Sequence, residues 1–226
     1  MRGDWDLSKT VLRPFPHDEF DETRRKVPIY LTQINTEGIL LEIERRKVID
    51  FLEEQGVIKE PPEFGREKEW FIKNIDPRQV TRFSGVLEDG VTKHVFSLLH
   101  TISHALMKQI PDQCGIGIDQ IGEIIFTSVP AILIFSQEKG EFRLEALKDL
   151  FENKIVPWID ISFKKSRPKF CIYDPVCFDS EGACHSCLYL QETSCGYYNQ
   201  DLSRHMLFGN SRNKIGGFWD SCLKKF

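Results

Sequence analysis

Residues 171–195 read C-I-Y-D-P-V-C-F-D-S-E-G-A-C-H-S-C-L-Y-L-Q-E-T-S-C and contain five of the seven cysteines of the chain. The closest pair, Cys184 and Cys187, has the C-x-x-C spacing of a zinc knuckle. Two thiolates at this spacing can bind one metal ion at about 2.3 Å, because the backbone turns between them and its amides point at sulfur. The stretch therefore predicts a small lobe that zinc holds together.

Four ligands complete a structural zinc site, and this stretch offers five thiols. We predict that the zinc ligands are Cys177, Cys184, Cys187 and Cys195, which leaves Cys171 as the spare thiol. Cys171 belongs to the end of a predicted strand. Cys177 follows an Asp-Pro pair, which forms turns and can bring the thiol back toward the knuckle.

Alternative roles for these cysteines fit the sequence less well. Disulfides require an oxidising compartment, and the N-terminus M-R-G-D-W-D-L-S has no apolar core of a signal peptide. A thioredoxin-like redox pair needs a strand before it and a helix after it, without further cysteines nearby. A catalytic zinc keeps an open position, whereas an all-cysteine set is closed and structural. His185 could replace one thiolate, but Cys184 and Cys187 would crowd it.

The whole chain has the composition of an ordinary globular protein. Its 226 residues are 41% hydrophobic and 28% charged, with a formal net charge of −4. This length suffices for one domain with a sizeable core, or for a core and a small metal-held lobe. No apolar run approaches the roughly 20 residues that cross a bilayer, and we expect a cytoplasmic protein.

Positive charge is concentrated near the C-terminus. Residues 162–226 contain nine Lys or Arg and six Asp or Glu, a balance of +3, so the rest of the chain carries −7. Such a modest excess is usually a solvated surface, but with interleaved aromatic residues it could also contact nucleic acid. The candidate nucleic-acid contacts are Lys164, Lys165, Arg167, Lys169, Arg204, Arg212 and Lys214.

The hydrophobic pattern predicts an α/β or α+β fold, with a mixed sheet, flanking helices and a C-terminal zinc lobe held by four cysteines. We expect an N-terminal arm and then a single domain with an irregular insertion; the ranges are 1–26 for the arm, 27–226 for the domain, 57–92 for the insertion and 171–209 for the zinc lobe. Predicted strands span 28–33, 38–43, 124–127 and 131–136. Predicted helices span 45–55, 67–73, 94–110, 143–155 (ended by Pro157) and 200–207 (capped by Asn199).

The clearest predicted helix, 94–110, carries two histidines on one face. His100 and His104 lie four residues apart, a spacing that can bind a metal ion. The metalloprotease pattern also needs a glutamate after the first histidine, where this chain has Thr101. We interpret the pair as buried histidines with hydrogen bonds in the core, and keep a metal-dependent nuclease or hydrolase that uses them as the alternative.

The chain lacks the short motifs of common nucleotide-using and hydrolytic enzymes. It has no G-x-x-x-x-G-K-[ST] phosphate loop, no G-x-G-x-x-G fingerprint and no G-x-S-x-G elbow. Its many carboxylates form no pair that stands out from a solvated surface. We therefore predict that this chain is not an enzyme.

Three blocks of sequence, in this order, resemble a known module. They are L-L-H-T-I-S-H-A-L-M-K-Q-I at 98–110 with C-G at 114–115, then Y-D-P-V-C and A-C-H-S-C-L at 173–177 and 183–188, then E-T-S-C-G-Y-Y-N-Q-D-L-S-R-H-M-L-F-G at 192–209. Together they resemble the MrfA-type zinc-binding domain. That domain belongs to DrmB-like proteins of DISARM anti-phage systems and to some DNA-repair helicases.

The resemblance implies zinc on the four predicted cysteines and an accessory role beside a superfamily 2 DNA helicase or translocase. It covers residues 28–209 and includes no helicase domain, so we expect the helicase on another chain and DNA contact through the complex. Our first hypothesis is a non-catalytic zinc-binding subunit in anti-phage defence or DNA repair. Scaffolding without DNA contact is a further hypothesis. One departure is Q-E-K-G-E-F at 137–142, where the family has a glycine-rich loop.

Overall fold

The computed structural model of the chain describes residues 35–80, 90–137, 145–165, 182–209 and 216–219. These ranges contain three strands and six α-helices: β1 (Gly38–Glu42), α1 (Arg45–Glu54), α2 (Glu67–Asn74), α3 (Val91–Met107), α4 (Ile110–Cys114), β2 (Ile121–Phe126), β3 (Ala131–Ser136), α5 (Ala146–Lys165) and α6 (Arg204–Phe208). The described residues from Thr36 onward belong to one compact unit. The predicted arm at 1–26 and the predicted strand at 28–33 lie outside the described residues.

The three strands form an antiparallel sheet with β3 in the middle. Leu41 of β1 and Ile125 of β2 both pair with Ile132 of β3, which fixes the register across the sheet. The face that carries Ile39, Ile125, Ile132 and Ile134 is buried, as the unbroken apolar run of β3 predicted. The fold class is therefore α+β, and the sheet is antiparallel rather than mixed over its described strands.

Helix α3 lies at the centre of the core and packs against β2, β3, α5 and α6. Its apolar stripe is buried, as are most of its other side chains; the stripe consists of Val95, Leu98, Leu99, Ile102 and Leu106. Polar side chains on such a helix need partners inside the protein. The Thr101 hydroxyl, for example, donates to the Ser97 carbonyl at 2.6 Å.

The end of α3 differs from the prediction, which extended this helix to Ile110 and ended it at Pro111. The structure ends α3 at Met107 and begins α4 at Ile110, with Pro111 in the first turn of α4. A proline there breaks no helical hydrogen bond, because the first turn has no N–H partner to lose. Gly115, at φ 75°, then ends α4 in the left-handed conformation.

Helix α5 corrects a second prediction, because it spans Ala146–Lys165 and continues through Pro157. Proline removes one backbone hydrogen bond of the helix. The next residue, Trp158, is fully buried, and its indole N–H donates to the Leu106 carbonyl at 3.0 Å. Packing of this tryptophan outweighs the cost of the proline. Phe151, which precedes Pro157 in the same helix, is 50% exposed, although the helical pattern of 143–155 places an apolar residue there.

The start of α5 is held by a carboxylate that precedes β1. Glu37 accepts the backbone N–H groups of Glu145 at 2.7 Å, Leu147 at 2.9 Å and Lys148 at 3.4 Å. The first N–H groups of a helix have no partner within the helix, and negative charge at this end is favourable. Glu37 therefore ties α5 to the sheet.

Helix α6 is shorter and begins later than predicted, with Ser203 rather than Asn199 before it. Asn199 lies in a turn at φ 56°, a left-handed conformation that asparagine tolerates. Its side chain accepts the Leu190 N–H at 2.8 Å and donates to the Leu190 carbonyl at 2.9 Å. Asn199 thus connects two turns instead of capping a helix.

The remaining described elements other than β2 agree with the prediction. Strand β1 and helices α1 and α2 match their predicted ranges within one or two residues, and α2 lies in the predicted insertion. Strand β2 begins earlier than predicted, at Ile121, so that Glu123 becomes part of the sheet. Among the described helices, none is both long and apolar enough to cross a membrane.

Candidate metal centre

Four buried side chains from three distant parts of the chain converge beside α3. They are His100, His104, Glu123 and Cys195, named the buried cluster from here on. One potential ligand atom from each lies within 4.8 Å of the others. None of the four residues is more than 3% exposed. The buried cluster could therefore hold a metal ion within the core.

The two histidines and the glutamate meet because of the geometry of α3 and β2. His100 and His104 lie one helical turn apart, and their ring centroids are separated by 4.3 Å. Glu123 lies on the inward face of β2, between Ile121 and Ile125, since side chains alternate along a strand. Its Oε1 is 3.0 Å from His104 Nε2 and 3.2 Å from His100 Nε2. One carboxylate oxygen thus contacts both imidazoles.

Cys195 adds a sulfur atom to this group from the turn that precedes α6. Its Sγ lies 3.3 Å from His100 Nε2. The same sulfur accepts the backbone N–H groups of Tyr197 at 3.4 Å and Asn199 at 3.3 Å. Backbone amides that point at sulfur stabilise a thiolate, which is the form that binds metals.

Two backbone carbonyls fix the orientation of both histidine rings. His100 Nδ1 lies 3.0 Å from the Gln200 carbonyl, and His104 Nδ1 lies 2.8 Å from the Leu188 carbonyl. A carbonyl only accepts hydrogen bonds, so each Nδ1 must carry a proton and donate. Each Nε2 consequently faces the buried cluster. Metal-binding histidines are commonly oriented by such carbonyls.

The buried cluster strongly shifts the pKa values of its members. Burial alone lowers the pKa of His100, but the Glu123 carboxylate and the Cys195 sulfur outweigh it and raise that pKa to about 10. Burial alone raises the pKa of Glu123, yet the charges of His104 and His100 hold it well below its usual range. Burial also raises the pKa of Cys195, but hydrogen bonds from both histidines lower it to about 6. Carboxylate and thiol are therefore both held in their ionised forms.

The C-x-x-C pair lies in a separate turn, Gly182–Leu190, named the knuckle from here on. The Cys184 carbonyl accepts the N–H groups of Cys187 at 3.2 Å and Leu188 at 3.0 Å, which closes the turn. The two sulfurs are 4.0 Å apart. Sulfurs that share one tetrahedral zinc at about 2.3 Å are separated by about 3.8 Å. The pair is therefore in position to bind one zinc ion.

Two cationic side chains lie close to the knuckle. Lys108 Nζ donates to the His185 carbonyl at 2.5 Å and to the Tyr189 carbonyl at 3.1 Å. Burial lowers the pKa of Lys108, while the knuckle thiols act in the opposite direction. Burial raises the pKa of Cys187 to about 11, although the nearby charge of Arg204 lowers it. Both cations can offset the negative charge of metal-bound thiolates.

Three of the four predicted zinc ligands lie in these two regions. The sulfurs of Cys184 and Cys187 lie close together. Among the described residues, neither Cys195 nor any other potential ligand lies within 4.8 Å of both. Cys195 belongs to the buried cluster instead. Cys177 and the spare thiol Cys171 lie outside the described residues. The set of four cysteines stays a prediction.

Sequence reasoning singled out three members of the buried cluster and missed Glu123. The histidines were interpreted as buried and hydrogen-bonded in the core, and they are. Glu123 is the only charged residue of the strand I-G-E-I-I-F, at a position whose neighbours Ile121 and Ile125 both face inward. A lone acid at an inward strand position is a signal for a buried partner, because an unpaired buried carboxylate is costly.

The predicted nucleic-acid contacts are only partly described. Lys164 is exposed near the end of α5, with Nζ 2.5 Å from Asp160 Oδ2. Arg204 is 2% exposed and packs against Gly182 of the knuckle. A nucleic-acid contact has to be on the surface, and this arginine is buried. Arg167, Lys169, Arg212 and Lys214 lie outside the described part of the chain, and so does the side chain of Lys165.

Comparison with known proteins finds a similarity to a DISARM protein. No family model matches the chain, and the MrfA-type domain is therefore not confirmed in this way. The chain is similar to the DISARM protein DrmB of Bacillus paralicheniformis, with 24% identity over 214 residues. The aligned region spans 84% of this chain and 35% of that protein. The chain is thus DrmB-like over most of its own length, and it spans about a third of the length of the relative.

Proposed function

We propose that this chain is a non-catalytic, zinc-binding component of a DISARM-like anti-phage system. It acts beside a superfamily 2 DNA helicase or translocase on another chain and meets DNA through that complex. Two observations support the proposal: the similarity to the DISARM protein DrmB, and the presence of metal-binding side chains at the knuckle and in the core.

The observation that carries the non-catalytic role is the burial of the histidines. The side chains of His100, His104 and Glu123 are 0% exposed, and each ring nitrogen of the histidines already has a partner. A nuclease or hydrolase would need these groups to reach water and a phosphodiester. Their burial favours a structural role over the alternative of metal-dependent hydrolysis.

Zinc has a structural role in this proposal. The donor chemistry fits at the knuckle, where Cys184 and Cys187 present two sulfurs at a suitable separation. Bound there, zinc would crosslink the predicted 171–209 lobe, with Cys177 as a further predicted ligand; Cys195, the fourth predicted ligand, lies in the buried cluster instead. Lys108 holds the backbone of the knuckle in place through two carbonyls.

Two assays on the purified full chain test this function. Alone, the chain should show no cleavage of single- or double-stranded DNA with Mg²⁺, Mn²⁺ or Zn²⁺. Mixed with the helicase subunit of a DISARM system, it should form a stable complex and raise the affinity of the helicase for DNA, in a manner that weakens with salt. Metal-dependent cleavage that is lost in His104→Ala, or the lack of any complex, would contradict the proposal.

A further inference from the structure

We infer that the buried cluster is a second metal centre, separate from the knuckle, in which His100, His104, Glu123 and Cys195 together bind one zinc ion. This inference depends on neither the helicase nor DNA. It rests on the hydrogen-bonding capacity of the four side chains and on where each of them already has a partner.

Backbone carbonyls orient both imidazoles. Each Nδ1 donates to a carbonyl, that of Gln200 for His100 and that of Leu188 for His104. In a neutral imidazole the opposite nitrogen is then an acceptor with one lone pair. Both Nε2 atoms therefore point into the buried cluster, where each holds either a proton, which it donates, or a metal ion, to which it gives its lone pair.

The two Nε2 atoms lie against a carboxylate and a sulfur. His104 Nε2 lies 3.0 Å from Glu123 Oε1, and His100 Nε2 lies 3.3 Å from Cys195 Sγ. Carboxylate oxygens accept hydrogen bonds, and this sulfur already accepts two from backbone N–H groups. Once the two Nε2 protons are removed, acceptors from four residues face one another, an arrangement that a bound cation stabilises.

The carboxylate of Glu123 has one oxygen in contact with the histidines and one without a partner. Its Oε2 is buried and has no hydrogen-bond partner among the described residues. One proton on each Nε2 would satisfy Oε1 but would leave Oε2 without a partner, and a buried acceptor without a partner is destabilising because it has lost its hydration. A divalent cation accepts electron pairs from the carboxylate, the sulfur and both nitrogens at once.

The donor set selects the metal. Two imidazole nitrogens, one thiolate and one carboxylate are typical ligands of tetrahedral zinc, whereas Mg²⁺ and Ca²⁺ prefer oxygen ligands alone. All four positions come from the protein, so the centre is closed and structural. It joins α3, β2 and the turn before α6, which are far apart in sequence.

The test begins with the unmodified full chain, expressed with added ZnCl₂. X-ray absorption at the zinc edge should show sulfur scatterers together with the outer-shell scattering of histidine rings. A spectrum with sulfur ligands only would overturn the inference, even if the knuckle binds zinc as proposed. Histidine scattering in a chain that binds no helicase would support this centre and contradict the proposed function, so the two failures are distinguishable.

Variants then assign the centre. Glu123→Gln keeps the shape of the side chain but removes its charge, and it should lose about one equivalent of zinc per chain together with the histidine scattering. The matched control is Cys114→Ser, whose thiol is half-buried and outside both metal-binding regions; it should keep the zinc content of the wild type. Unchanged zinc content and histidine scattering in Glu123→Gln would overturn the inference.

Discussion

The knuckle and the buried cluster both offer sulfur to a metal, but the chain assembles them in opposite ways. In the knuckle, Cys184 and Cys187 are three residues apart, and one turn brings their sulfurs to 4.0 Å. The buried cluster draws its ligands from two secondary-structure elements and one turn, which meet only when the core is folded. Loss of a ligand from the knuckle should therefore unfold only the residues around it, whereas loss of a ligand from the buried cluster should destabilise the whole fold.

The largest expected effect is loss of the knuckle metal in Cys187→Ser. Structural zinc contributes about 10–16 kcal/mol to the folding of isolated zinc-finger peptides, so its loss should unfold the knuckle. We expect the variant to lose one zinc per chain by elemental analysis. Amide exchange should accelerate across residues 182–190 and remain slow in α3. An unchanged zinc content would refute a metal site at Cys187.

Elemental analysis and amide exchange on Cys195→Ser test whether the two regions bind metal separately. Because Cys195 contacts the histidines, we expect this variant to keep the knuckle zinc and to lose protection in α3 and β2. Cys171→Ser should then behave like Cys187→Ser, since the knuckle needs another thiol from the same stretch. If Cys195→Ser instead removes the knuckle zinc, the predicted set of four cysteines is right and the two regions share a ligand.

A second large effect is expected from Glu123→Ala, this time on global stability. The substitution leaves two buried histidines without their carboxylate partner, and breaking a buried charged pair typically costs about 3–5 kcal/mol. Urea unfolding should show this loss as a lower midpoint for the whole chain. Glu53→Ala, on the exposed side of α1, is the control and should change stability very little. Equal midpoints for the two variants would show that the buried cluster is not part of the stabilising core.

A smaller effect is expected from Lys108→Met, which keeps the length of the side chain but removes its charge. Two hydrogen bonds to knuckle carbonyls are lost, at about 1–3 kcal/mol in total, together with the positive charge beside the thiols. Zinc should leave the knuckle faster in competition with a chelator, and the buried cluster should be unaffected. Lys148→Met, at an exposed position of α5, is the matched control. The same zinc release rate in both variants would exclude Lys108 as a support of the knuckle.

The two regions also differ in how well the sequence predicts them. Periodicity located α3 and the central strand β3, because both are apolar over a length that only a buried element allows. The C-x-x-C spacing located the knuckle pair, because the geometry of one turn decides the distance between its sulfurs. Such local features depend on residues that are close together in the sequence, so the sequence alone predicts them.

The buried cluster could not be located in this way, because its geometry depends on pairing across the fold. Nothing in the spacing of His100, Glu123 and Cys195 indicates that they meet. The same limitation explains the predicted end of α5 at Pro157, because the helix continues beyond this proline and buries Trp158. It also explains Asn199, whose partner Leu190 belongs to another turn. In each case a tertiary contact outweighs the local preference.

Asn199 offers the smallest and most specific test, because it contacts both regions. Its side chain pairs with both backbone groups of Leu190 at the end of the knuckle, and its backbone N–H donates to Cys195 Sγ. Asn199→Asp keeps the acceptor for the Leu190 N–H and loses the donor to its carbonyl, at a cost of about 1 kcal/mol. Asn199→Gly keeps the left-handed backbone at φ 56° and loses both side-chain bonds, so it should cost more.

The two variants should change the knuckle and the buried cluster together. We expect zinc release from the knuckle and amide exchange near Cys195 to accelerate in parallel, and both more in Asn199→Gly than in Asn199→Asp. Parallel changes follow only if the turn of Asn199 transmits strain between the regions, because Leu190 and Cys195 are otherwise held by different partners. A change in the knuckle alone would mean that the two sites are energetically independent, although one residue contacts both.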